Sequence, residues 1–251
     1  MVISVITVNY NNKDGLKRTI ESVLNQTYID YEYIIVDGNS TDGSKELLDN
    51  YKSKFKISHF VSEPDNGIYN AMNKGVSMAN GVYCIFMNSG DTFYNEESLS
   101  RSLNFLKNKD IVSGVAYLPG GKKMTPPNEE DISTTFFLRY SLNHQSTFIK
   151  KELLVSHPYN ENYKIVSDTE FFFYSLIIKN VSYLSIPVKI ADCEQAGESG
   201  NLEASLKERF IAISQYFPMR MTSDLVFLGK YNISLIRWIG SSLRKIKRMA
   251  G

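Results

Sequence analysis

Four polar clusters fall within the first 91 residues: Asn9-Tyr10-Asn11, Asp37-Gly38-Asn39-Ser40, Glu63-Pro64-Asp65-Asn66-Gly67 and Asn88-Ser89-Gly90-Asp91. Each follows an apolar stretch. Asn, Asp and Gly are what tight turns require, so turn chemistry explains any one cluster. Four of them at successive strand ends, two with a carboxylate at the end itself, predict a ligand site, because open α/β sheets bind ligands at the carboxyl ends of their strands. The clusters are rich in oxygen and poor in His and Cys, a donor set suited to Mg²⁺ or Mn²⁺ rather than zinc. Downstream lie His144-Gln145 and the pair Asp168 and Glu170. A carboxylate there has two readings. It could be a general base that takes a proton from a substrate hydroxyl, or a helix N-cap that satisfies free backbone N–H groups. His144 is either a donor to a charged substrate group or a local hydrogen-bonding residue.

The elements that must position these residues alternate in type. "VISVITVNY" (2–10), "YEYIIVDG" (31–38), "ISHFVSEP" (57–64) and "GVYCIFMNSGD" (81–91) are apolar runs with strand character. Between them, helical spacing is predicted from Asp14 (Leu16, Ile20, Val23, Leu24), over 43–55 and over 68–79. A further helix at 96–107 leads to a strand at 110–118. This order predicts parallel βαβ units with both sheet faces covered. The turn-rich stretch 119–133 predicts a hairpin or loop, residues 134–192 mix short helices and strands, and 202–249 are helical with a break at Pro218.

The 251 residues suffice for a substantial core, and the net charge of +1 gives no overall pull toward nucleic acid. Two cysteines, Cys84 and Cys193, make neither a disulfide framework nor a metal cluster. The N-terminus lacks a signal-peptide pattern and no stretch is apolar for long enough to cross a bilayer, which predicts a cytoplasmic protein. No Gly-x-Gly-x-x-Gly follows the first strand, and no phosphate loop with Gly-Lys-Ser/Thr occurs, which disfavours ordinary dinucleotide and ATP sites.

In combination, "ISVITVNYNN", "LKRTIESVLNQTY", "YEYIIVDGNSTDGS" and "SEPDNGIYNAMNKGVSMANGVYCIFMNSGD" resemble the family 2 glycosyltransferases, in particular the bacterial branch that builds surface polysaccharides and O-antigen units. The resemblance covers roughly residues 1–195. It implies an α/β GT-A fold with a Rossmann-like, mostly parallel sheet, flanking helices and a helical C-terminal extension. It also implies a nucleotide-binding half (1–118), an acceptor-binding, catalytic half of the same domain (119–200) and the extension (201–251). The implied activity is inverting transfer of a sugar from a nucleotide-diphosphate sugar, UDP first among the bases, to a glycan acceptor carried on a lipid. Mg²⁺ or Mn²⁺ is the implied cofactor.

On this resemblance Val8 and Tyr10 line the base pocket, and Asp37 lies near the uracil and ribose, where many members have a second acid in place of Gly38. Asp65, Asn66 and Gly67 border the nucleotide, with Asn73 and Lys74 further along the helix. Lys74 either reaches the diphosphate or is a surface lysine. Where members show Asp-x-Asp, this chain has Asn88, Ser89, Gly90 and Asp91, which leaves Asp91 as the expected metal ligand. Asp168 is the expected base, Glu170 its alternate, and His144 and Gln145 touch the diphosphate or acceptor. Loops at 119–133 or 194–201, the latter with Gly197 and Gly200 as hinges, are candidate lids. The tail 235–251 combines an apolar stripe with Arg and Lys, which suits either a helix on the inner face of the plasma membrane or one packed on its own domain. Two other readings stand beside the transferase. A non-catalytic nucleotide-sugar-binding or assembly subunit would bind donor without turnover. A sugar-nucleotide pyrophosphorylase would show a Gly-rich basic loop where this chain has "NYNNKDG".

Overall fold

The computed structural model describes residues 2–54, 57–194, 202–218 and 221. The first half follows the expected order with one unforeseen short strand, β5: β1 (Ile3–Asn9), α1 (Lys13–Leu24), β2 (Tyr31–Asp37), α2 (Ser44–Lys54), β3 (His59–Ser62), α3 (Ile68–Met78), β4 (Tyr83–Phe86), β5 (Thr92–Phe93), α4 (Ser98–Leu106) and β6 (Ile111–Leu118). The second half adds β7 (Lys122–Met124), α5 (Thr134–Phe137), β8 (Thr147–Lys150), α6 (Lys151–Ser156), α7 (Ser167–Phe173), β9 (Tyr183–Asp192) and α8 (Leu202–Ser214). The strands form one sheet in the order β3-β2-β1-β4-β8-β6-β9-β5, with β7 hairpinned onto β6. β1 to β4 run parallel, which brings their carboxyl ends to one edge. β8 enters antiparallel to both β4 and β6, so the second half of the chain joins the same sheet.

Both faces are apolar, as a covered sheet requires. In β1 and β2, Ile6, Val8, Ile34 and Val36 face Met72 and Val76 of α3 and the aromatics of α7. Their neighbours Ile3, Val5, Tyr33 and Ile35 face Leu16, Ile20 and Val23 of α1 and Leu99 of α4. A charged residue nevertheless lies in the strand interior: Glu32, buried within β2. Burial works against its charge. Hydrogen bonds from Ser4 Oγ, Asn80 N and Nδ2 and Gly81 N outweigh it and hold the carboxyl below its usual range. This staple ties β1, β2 and the entry to β4 together at the sheet end remote from the polar turns.

Burial pushes both thiols, Cys84 and Cys193, up to about 12, which leaves them inert. No described helix is long and apolar enough to cross a membrane. Most of the 194–201 stretch and the whole tail 235–251 lie outside the described residues.

Candidate active site

The turns after β1, β2 and β3 converge. Tyr10 stands 68% exposed at the end of β1. A Cβ at Gly38 would come within 2.5 Å of Asp65 Oδ2 and 3.1 Å of the Tyr10 ring. Gly38 is therefore the space in which the Asp65 carboxylate sits beside Tyr10. The acid absent from position 38 is delivered by the next loop. Asp65 Oδ1 accepts from Gly67 N at 2.9 Å, and Gly67 adopts φ +110°, a left-handed conformation that favours glycine, before α3 begins. An aromatic face beside a carboxylate is suited to a base that stacks and donates N–H groups.

Asp37 has a different task. It is fully buried, and its two oxygens accept from Asn9 Nδ2 (2.7 Å), Ser40 Oγ (2.5 Å), Ser40 N (3.0 Å) and Ser62 Oγ (2.7 Å). Asp37 knits the turns after β1, β2 and β3 together. Val8 is likewise buried in β1 and supports the site from below.

After β4 the chain turns at Asn88–Asp91. Thr19 Oγ1 of α1 donates to Asp91 O at 2.7 Å and accepts from Gly90 N, while Asn12 Nδ2 donates to Ser89 O at 3.0 Å. Asp91 itself is 7% exposed. Burial raises its pKa against the lowering effect of Gln145 Nε2 on Oδ2 (3.0 Å) and Glu194 N on Oδ1 (2.9 Å). Glu194, paired with Arg18, occupies the space a side chain at Gly90 would need. Among the described residues no group of three or more His, Cys, Asp or Glu could hold a metal ion.

The two halves meet at His144. Its Nε2 lies 3.1 Å from Asn88 Nδ2 and its Nδ1 3.1 Å from Asp168 Oδ2. With the Asn88 amide donating to Nε2, the ring proton resides on Nδ1 and donates to Asp168. Asp168 Oδ1 accepts from Thr169 N (2.7 Å) and lies 3.3 Å from Tyr69 Oη. Burial, reinforced by the Asp168 charge, holds the Tyr69 phenol well above its ordinary pKa. Asp168 is not the N-cap of α7, a position held by Val166; it lies in the first turn.

Three expected site residues lie elsewhere. Glu170, 2% exposed, bonds His157 Nε2 at 3.1 Å and Tyr216 Oη on the far side of α7, so it is an anchor for the C-terminal segment and no alternate base. Helical geometry explains the miss: residues two apart on a helix point to different faces. Asn73 clamps α3 to the loop after α6, donating to Tyr159 O (2.8 Å) and accepting from Tyr159 N (3.1 Å). Lys74 bonds Pro64 O at 2.9 Å and pairs with Glu63 at 2.8 Å, so it braces the loop. Asn66 N, just before α3, donates to Asn70 Oδ1 of that helix at 3.3 Å.

Residues 4–164 match the profile of Glycosyl transferase family 2. The chain belongs to this family. An uncharacterized glycosyltransferase of Mycobacterium tuberculosis is 30% identical over 70% of this chain and 69% of its own length. A PGL/p-HBAD biosynthesis glycosyltransferase of the same species is 27% identical over 68% of each. Among solved structures, S. aureus TarS in complex with UDP-GlcNAc superposes with a TM-score of 0.68 at 18% identity, over 86% of this chain and 66% of that one. The glycosyltransferase thus has the GT-A fold.

Sequence reasoning missed Tyr69, Asn12 and Glu194. Tyr69 carried no local signal, because it meets Asp168 and the Ile165 carbonyl only through the packing of α3 against the start of α7.

Proposed function

We propose that the glycosyltransferase moves a sugar from a nucleotide-diphosphate sugar, a UDP-sugar first, to a glycan acceptor with inversion at the anomeric carbon. The observation that carries this reading is the His144 bridge, which links the Asn88–Asp91 turn of the donor half to Asp168 of the acceptor half. The base would lie against Tyr10, Gly38 and Asp65, with Asn66 and Gly67 lining the rim, and the diphosphate beside Ser89 and Asp91. Asp91 would hold Mg²⁺ or Mn²⁺, and a bound ion would offset the charge growing on the departing diphosphate.

Asp168 takes the acceptor's hydroxyl proton as the new C1–O bond forms and the bond to the diphosphate breaks. His144 donates to the other side of the catalytic carboxylate and keeps it aimed, and Gln145 holds Asp91 in place. Residues 1–118 act as the donor half and 119–200 as the acceptor half, and the segment from 201 onward begins with α8. The naming of one relative for PGL/p-HBAD biosynthesis supports an acceptor in a bacterial envelope glycan built on a lipid. Such an acceptor supports contact with the inner membrane face.

One observation favours a second reading, a donor-binding subunit without turnover: the metal turn retains a single carboxylate. Calorimetric titration with UDP-, GDP- and dTDP-sugars, with and without Mn²⁺, followed by assay for released nucleotide diphosphate, separates the two. Metal-dependent binding with release supports transfer. Binding without release on any acceptor supports the subunit, and no binding removes both.

A further inference from the structure

The acid at the mouth of the base pocket comes from the turn after β3, and its geometry leaves it one oxygen to offer. Asp65 Oδ1 accepts from Gly67 N at 2.9 Å, closing a local turn. Asp65 Oδ2 lies over Gly38, 2.5 Å from where a Cβ would stand, with the Tyr10 ring 3.1 Å from the same point. Among the described residues Oδ2 has no hydrogen-bond partner, and no cation pairs with Asp65. The turn is clamped on both sides of Asp65. Lys74 Nζ donates to Pro64 O at 2.9 Å, and Asn66 N donates to Asn70 Oδ1 at 3.3 Å. The carboxylate is thus held in one orientation, with a single free oxygen beside an aromatic ring.

We infer that Asp65 selects the base of the donor: it accepts the lone imide N–H of uracil or thymine and rejects cytosine and guanine. The inference rests on the proposed function, which places the base against Tyr10. Uracil and thymine present one ring N–H between two carbonyls, which matches one acceptor oxygen. Cytosine presents a bare ring nitrogen at that position, and its lone pair opposes the carboxylate. Guanine presents two adjacent N–H groups, which a carboxylate takes with both oxygens side by side. Here Oδ1 is already engaged by Gly67 N. Gly38 is the other determinant, because a side chain there would take the place of Oδ2.

The test is calorimetric titration of the full chain, with Mn²⁺ present, against UDP, dTDP, CDP, GDP and 3-methyl-UDP, which lacks the imide N–H. UDP, dTDP or both should bind more tightly than the other three by roughly 10- to 100-fold, the contribution of a hydrogen bond to a charged acceptor. The UDP and dTDP arms tell the two imide bases apart. Asp65→Ala should erase the preference, and Gly38→Ala should weaken it by displacing the carboxylate. Asp65→Asn gives the sharper result. Gly67 N–H holds the amide oxygen in the Oδ1 place, so Nδ2 faces the base and donates to the bare nitrogen of cytosine. The order of UDP and CDP should therefore invert. A ratio of affinities within one variant does not depend on the folded fraction, which separates recognition from loss of fold. An Asp65→Asn chain that keeps the unmodified preference for UDP over CDP would overturn the inference. So would 3-methyl-UDP binding as tightly as UDP, or GDP binding most tightly. Tight UDP binding that ignores Asp65 would overturn it while leaving the proposed function intact, whereas no binding of any nucleoside diphosphate would overturn both.

Discussion

The two sides of the site differ in how their polar groups are held. On the donor side, Asp37 spends both oxygens on four donors from three turns, and the Asn88–Asp91 turn is braced by Thr19 and Asn12. On the acceptor side, Asp168 is held by groups that come from distant segments, His144 and Tyr69. Buried polar atoms without a partner occur in the donor turns too, at Asn9 Oδ1 and Asn88 Oδ1. The donor turns are thus built from neighbouring strand ends, whereas the acceptor side depends on packing between parts of the chain far apart in sequence.

The largest effect expected from breaking this contrast is at the base. Asp168→Asn should lower transfer by roughly 10²- to 10⁴-fold, the contribution of a positioned proton acceptor, while the donor dissociation constant stays within a factor of two or so. Normal turnover would remove Asp168 from the reaction.

Asp37→Ala should act on stability instead. It strands the amide of Asn9, the N–H and hydroxyl of Ser40 and the hydroxyl of Ser62, and should lower unfolding free energy by about 3 kcal/mol in denaturant titration. Stability like that of the unmodified chain would mean that Asp37 is free to serve the donor after all.

A third effect is pH-dependent. The folded chain raises the Asp91 pKa above its unfolded value, so the protonated form is favoured by folding. The associated stability is present at low pH and lost as pH rises through the raised pKa. Mn²⁺ should offset that loss at neutral pH, and its stabilisation should fade on acidification at a higher pH than an ordinary carboxylate would require. Thermal melts across pH, with and without Mn²⁺, would show this, and Asp91→Asn should abolish the Mn²⁺ shift.

The smallest effect belongs to Lys74→Ala. An ion pair with half-exposed Glu63 contributes at most about 1 kcal/mol, and donor affinity should not change. Weaker binding of the diphosphate would restore Lys74 to the site.

Much of the donor side was legible in the sequence because strand ends and turns are local features. Asn9, Asp37, Asp65 and Asp91 follow apolar runs directly, and parallel βαβ order carries such ends to one edge. What could not be read was which carboxylates would be spent on one another. Asp37 and Asp65 look equivalent in the sequence; the absence of a Cβ at Gly38 lets Asp65 into the pocket, while Ser40 and Ser62 consume Asp37. The acceptor side depends on packing between distant segments. His144 meets Asp168 across the chain, Tyr69 reaches it from α3, and Glu170 turns away on the opposite face of the same helix.

The most direct measurement is a crystal structure of the full chain with a UDP-sugar and Mn²⁺. The account predicts uracil against Tyr10 and Asp65, Mn²⁺ on Asp91, and the anomeric carbon facing Asp168. A nucleotide found in the cavity of about 420 Å³ lined by His157, Tyr174 and Lys179, with the strand ends empty, would contradict it.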